Sequence, residues 1–265
     1  MHACGSRGLT PRSSGAPTAC HAGHQALGLR PILRLLSSEP CRWRPLSSNV
    51  RPHNPRFAHT QLEMSLALTS IASLLVMALM VVVAGAYTPG YSHASQFISE
   101  LGATGAPHEW GVRLGGFLTT GLLMMTFCIS AFRSLPRSRI STLGIVGMTL
   151  FSIGYLSSAA FPCDPGCRPS QPSTSQVIHN VVGLVGYLVA PAFLLALARA
   201  ARAWPGGIHL VTTGYIASAA ALIAILTLSP SSPWVGLSQR LLEFAVLGWA
   251  SLCGLYIAQR PARGA

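Results

Sequence analysis

The sequence predicts an all-α fold: an integral membrane bundle of six transmembrane helices with both termini on the cytoplasmic side. Three observations carry that reading. Half of the 265 residues are hydrophobic and only 9% are charged, with a mean hydropathy of +0.48, where a soluble domain carries about a quarter charged residues. The apolar residues gather in runs that meet or approach the ~20 helical residues needed to cross ~30 Å of hydrocarbon. The arginines between those runs are unequally shared, as orientation signals are.

Residues 1–63 differ from everything after them, being rich in Arg, Ser, Pro and Gly with one acid, Glu39. No helical or strand period runs through them. Such a composition buries too little apolar area to offset ordering entropy, so the segment reads as a disordered arm. Its Arg-rich, acid-poor character is similar to that of a transit peptide. The competing reading starts the protein at Met64 and takes residues 1–63 as upstream sequence translated in frame. Cys4, Cys20 and Cys41 have no metal-ligand spacing.

The six spans are Met64–Ala86, Gly111–Phe132, Ile140–Phe161, Val177–Ala198, Ile208–Ser229 and Leu241–Ala258. They form one domain, 64–258, ahead of a short cytoplasmic tail, 259–265. In the second span Gly111 and Gly115 make a small-xxx-small pair; Gly144 and Gly147 crowd the third, and Gly214 with Ser218 marks the fifth. Pro191 frees the carbonyl of Tyr187 and predicts a kink in the fourth. The sixth is the shortest, with Arg240 and Gln259 at its ends placed to snorkel. No lipid-facing strand runs this long without alternation, which leaves helices.

Orientation follows from counting. The arm holds eight of the eighteen arginines, and Arg133, Arg137, Arg139, Arg199, Arg202, Arg260 and Arg263 join them on one side. Arg113, Arg168 and Arg240 fall on the other. The richer side is cytoplasmic. A net charge of +12 distributed in this way forms no single patch, so nucleic acid is excluded as a partner and the lipid bilayer is the expected one.

Orientation turns the polar residues into a pattern. Four of the six acids, Glu100, Glu109, Asp164 and Glu243, gather at the outer face with His93, His108, His179, Arg113 and Arg240. Charges at that depth are costly unless paired or solvated. In the first outer loop the stretch from Ser92 to Gly102 reads as a short interfacial helix, Ser92 its N-cap and Gly102 its C′ residue. Phe97, Ile98 and Leu101 make its apolar stripe, and His93, Gln96 and Glu100 lie on another face. Glu109 and Arg113 have ion-pair spacing. Cys163 and Cys167 close a small disulfide loop that fixes Asp164, or else ligate zinc; an oxidising compartment favours the disulfide. Arg240 and Glu243 either pair with each other or each meet a partner from another hairpin.

Four stretches are familiar together. Ile98-Ser-Glu-Leu-Gly102, Phe161-Pro-Cys-Asp164, the later His179 and Gly236-Leu-Ser-Gln-Arg240 resemble, in order, the signature of the "domain of unknown function 998" family of multi-span membrane proteins. The resemblance covers about residues 64–258. It implies the six-span fold, a bacterial or archaeal plasma membrane and no agreed activity. Carried over residue by residue, the family's polar signature is Ser99, Glu100, Asp164, His179 and Arg240. The cysteine pair is not part of the pattern.

Three classes of function fit. The first is a hydrolase or transferase acting on a lipid or lipid-linked substrate at the outer leaflet. Its candidate catalytic residues are Ser99, Glu100, Asp164, His179 and Arg240, with a possible divalent metal on His179, Asp164 and His93, or Glu100 in place of His93. No HExxH, GxSxG or paired-His spacing backs it. The second is transport or sensing, which spans without mid-depth charge and halves without similarity do not favour. The third is a hydrogen-bonded network that locks three hairpins of a scaffold together. A ligand-binding or catalytic outer pocket ranks ahead of the lock, which alone needs fewer ionisable types in one layer. The oligomeric state is left open.

Overall fold

The structure, a computed structural model, describes residues 55–259. The arm up to residue 54, with its three cysteines, and the tail beyond residue 259 lie outside the described residues. Six long helices follow one another: α1 Pro55–Tyr87, α2 Gly111–Ser134, α3 Arg139–Ala160, α4 Thr174–Ala201, α5 Ile208–Thr227 and α6 Val235–Ala258. Each is long and apolar enough to cross a membrane, and no strand occurs among the described residues. In lipid a helix satisfies its own backbone, which is why one element type suffices.

Two boundaries move. α1 begins at Pro55, ahead of the Met64 at which hydropathy places the first span; its apolar crossing part is Gln61–Tyr87. α6 begins at Val235, not Leu241. Arg240 and Glu243 therefore sit within the helix instead of at its mouth, Glu243 about 12 Å along it at ~1.5 Å per residue. Arg240 does not snorkel, being only 8% exposed. The expectation that the spans carry no interior charge is corrected by Glu243.

Successive helices pack on one another, and α6 returns to α1 to close the ring. α6 also touches α2 and α4 and is the most enclosed, 56% of its apolar window being buried against 28% for α1. Small residues set the close approaches. A Cβ on Gly144 would stand 2.5 Å from Leu197, one on Gly147 2.6 Å from Phe193, and one on Gly214 2.7 Å from Ala198. The Ser218 hydroxyl donates to Pro191 O at 2.8 Å, tying α5 to α4. Gly111 and Gly115 are corrected, since a Cβ on either meets nothing within 4 Å. Gly116, against Met80, and Gly121, against Leu156, make the contacts of α2 instead. α2 opens with a π-helical stretch, Gly111–Leu118.

The α1–α2, α3–α4 and α5–α6 connections share one end of the bundle and are stitched together. Thr104 N donates to Cys163 O at 2.9 Å, and Leu237 N to Ala94 O at 3.2 Å. Between Ser92 and Gly102 only Ile98–Gly102 is helical, as a 3₁₀ turn; Ser92 Oγ accepts from Ser95 N at 3.4 Å without starting a continuous helix, and Gly102 is the last residue of the turn instead of a C′ residue beyond it. The physical reason is competition for backbone groups. Ile98 N donates to Gln239 Oε1 at 2.7 Å, Phe97 N to Glu100 Oε1 at 2.9 Å, and the Tyr91 hydroxyl to Phe97 O at 3.0 Å. Ile98 and Leu101 are each 1% exposed. The segment is sewn into the bundle and does not lie on its surface.

Candidate functional site

The start of α6 organises this end of the molecule. Helical spacing puts Gln239 and Glu243 on one face and Arg240 on the next. Arg240 turns to the first connection. Its Nη2 donates to the Tyr91 hydroxyl at 2.6 Å and lies 3.0 Å from His93 Nδ1; its Nη1 donates to Gln96 O at 3.2 Å and to Gly236 O at 2.9 Å. Among the described residues no carboxylate pairs with it, and its buried Nε finds no hydrogen-bond partner there. Gly236 permits this approach: a Cβ there would fall 2.6 Å from His93 O and 2.9 Å from Ala94 O. Glu100 completes the latch by accepting from Gln96 Nε2 at 2.8 Å, with Arg168 Nη2 at 3.8 Å. Burial raises the Tyr91 phenol above its ordinary value against the opposing pull of Arg240, while burial and the Arg240 charge lower His93.

The other face of α6 borders a cavity of about 420 Å³, lined chiefly by α3, α4, α6 and the first connection, with Met77 of α1, Phe117 of α2 and residues of the other two connections at its wall. Glu243 lines it, is 3% exposed, and accepts from the hydroxyls of Tyr155 on α3 and Tyr187 on α4, the latter at 2.5 Å. Gln239 Nε2 donates to the Tyr187 hydroxyl at 2.8 Å while its Oε1 holds Ile98 N. A chain of bonds thus runs from the first connection through Gln239 and Tyr187 to the carboxylate. Three helices meet on one acid.

The five signature residues divide among three places. Ser99 and His179 line the cavity. Ser99 Oγ lies 3.5 Å from Cys167 Sγ, and His179 Nδ1 lies 3.0 Å from Phe161 O. Glu100 and Arg240 belong to the latch. Asp164 staples the α3–α4 connection, its carboxylate accepting from Ser173 N at 2.9 Å and its own N donating to Gln176 Oε1 at 2.8 Å. The Ser173 N–H holds the Asp164 carboxyl below the usual range. Cys163 and Cys167 are joined as a disulfide, Cα to Cα 5.1 Å, around a turn with Gly166 at φ 72°. Glu109 pairs with Arg113 at 2.7 Å; the Gly105 N–H, then Arg113, lower its carboxyl.

The metal set is corrected. His93 stands on the latch, Asp164 on the start of α4 and His179 against Phe161, and among the described residues no three His, Cys, Asp or Glu gather to hold an ion. Arg240 and Glu243 do not pair with each other; each meets partners from other hairpins. The residues that sequence reasoning passed over are Tyr155, Tyr187 and Gln239. A signal existed for the first two, since a tyrosine hydroxyl inside an apolar span needs a partner.

The family described as "Protein of unknown function (DUF998)" matches residues 70–256. The chain belongs to this family. No curated protein and no solved structure matches the chain. The family match runs from within α1 almost to the end of α6, so it contains both the latch and the cavity with every residue that builds them.

Proposed function

We propose that this member of the family is a multi-pass membrane protein that binds a small amphipathic, lipid-like molecule in the cavity, at the non-cytoplasmic face. The observation that carries the reading is the cavity itself: apolar walls around a few convergent polar groups, with a carboxylate held by two helices other than its own. Orientation is supported by the arginines. Arg133, Arg137, Arg139, Arg199 and Arg202 lie at the opposite end from the latch and cavity.

Binding is favoured over hydrolysis. Acyl or phosphoryl chemistry at Ser99 needs a base within hydrogen-bond reach. The Ser99 hydroxyl rests on Cys167, and among the described residues no hydrogen bond joins it to His179, whose Nδ1 lies against Phe161 O. Glu100, Asp164 and Arg240 serve structure in this reading, since each carries bonds that fasten a connection to the bundle. The test is native mass spectrometry of the full chain extracted in a non-ionic maltoside, beside Gly183→Phe. Gly183 lines the cavity, and a Cβ there meets nothing within 4 Å, so a phenyl group grows into the space. A retained small-molecule mass that the variant lacks supports the reading. Identical spectra from two equally folded proteins leave the structural lock as the better account.

A further inference from the structure

We infer that the cavity's ligand carries a protonated amine, for which Glu243 is the counter-charge within an aromatic cage. The inference rests on the ligand-binding reading above and adds the chemical class of the ligand's polar end.

The first ground is charge. Glu243 is almost wholly buried and makes no ion pair; the ion pairs among the described residues are Arg113–Glu109 and Arg168–Glu100. Arg240 is the arginine nearest along the helix. Its Nη atoms are committed to Tyr91, His93, Gln96 and Gly236, and it does not line the cavity. No other arginine lines it either, so nothing in the wall offers an anion a full positive charge. Leaving a carboxylate buried without a cation is costly, and a cation delivered by a ligand offsets that cost.

The second ground is valence. Tyr155 donates to Oε2 and Tyr187 to Oε1. A carboxylate oxygen accepts about two hydrogen bonds, so each oxygen retains a lone pair. An ammonium N–H fits that vacancy as a charge-assisted bond, a hydroxyl fits it more weakly, and a carboxylate is repelled. The third ground is the wall. Phe97, Phe117 and Phe151 line the cavity together with the two tyrosines. Aromatic faces attract a cation within about 6 Å of their centroids. A bare divalent ion is a poor fit, since calcium takes about 6–8 oxygen ligands and the lining offers one carboxylate. Met77 and Leu184 extend the apolar lining for an alkyl body.

The experiment measures equilibrium binding of hexylamine, hexan-1-ol and hexanoate to the full chain by calorimetry, in a non-ionic maltoside at neutral pH. Gly183→Phe is carried alongside to subtract partition into the detergent. The expected ranking is amine over alcohol by about tenfold, with no saturable binding of hexanoate. Glu243→Gln is expected to bring the amine down to the level of the alcohol while moving the alcohol by less than about threefold. If amine and alcohol bind within about twofold of each other in the unaltered protein, or hexanoate binds best, the amine assignment is overturned and the cavity's binding role survives. If none of the three binds saturably, the binding role itself falls and takes the amine with it. Should Glu243→Gln fail to fold, the ranking in the unaltered protein decides alone.

Discussion

Arg240 and Glu243 lie one turn apart on the same helix, both buried, both without an ion-pair partner among the described residues. Their surroundings are opposite. The guanidinium is met by the chain itself, through two side chains and a carbonyl of the first connection, and Gly236 keeps the backbones near enough for those bonds. The carboxylate is met by two phenols on one side and by open volume on the other. A polar group whose bonds all return to the protein fastens structure; one that keeps spare bonding capacity beside a cavity is available to something else. One layer of ionisable residues thus holds two different arrangements, a latch closed on itself and a carboxylate that borders a cavity.

Breaking the latch is expected to have the largest effect. Arg240→Leu strands the Gln96 carbonyl and removes a partner from Tyr91 and His93, a loss of roughly 2–4 kcal/mol that thermal unfolding in detergent measures. A variant as stable as the parent dissolves the contrast. Glu243→Gln is the matched change at the site. It keeps the shape and one acceptor for the phenols, so its cost stays within about 1 kcal/mol by the same measurement. Losses of equal size in the two variants make both residues structural.

The smallest effect is one of pH. His93 is lowered below its ordinary value by burial and by Arg240, so the folded protein holds it neutral where the unfolded chain has already taken a proton. Its contribution is present above the unfolded value, ~6.5, and is lost as pH falls below that point. The melting temperature is expected to fall between about pH 7 and pH 5 and to fall less in His93→Gln. Asp164 is depressed by the Ser173 N–H, and its contribution is lost only on further acidification, through the carboxylate range below ~3.9. An unchanged slope in His93→Gln removes the histidine from the latch.

Much of the fold was legible because lipid imposes simple rules. Length and apolarity located six helices, the start of α6 being six residues out, and the family match covers them from within α1 almost to the end of α6. The site was legible only by halves. Ser99 and His179 do line the cavity, while Glu100, Asp164 and Arg240 share its end of the molecule without touching it. The error at α6 had one cause. Ser238, Gln239 and Arg240 lower the hydropathy of its first turns, so a window scan begins the helix too late and leaves Glu243 at the surface.

The sequence by itself determined the number of helices and their apolar character, because twenty apolar residues in a row have few other options. It also determined which polar residues gather at one end, since the order of spans and connections admits no other arrangement. Only the tertiary structure decided which of them face each other. A helix presents a new face every hundred degrees or so, so Arg240 diverges from Gln239 and Glu243, which share Tyr187, and the neighbours of the three, Tyr91, Tyr155 and Tyr187, come from three other parts of the chain. That the first connection is a latch and not a surface helix was decided the same way. Its Ile98 N–H found an acceptor on α6 and its Ala94 and Gln96 carbonyls found donors there, at a distance in sequence that no local pattern records.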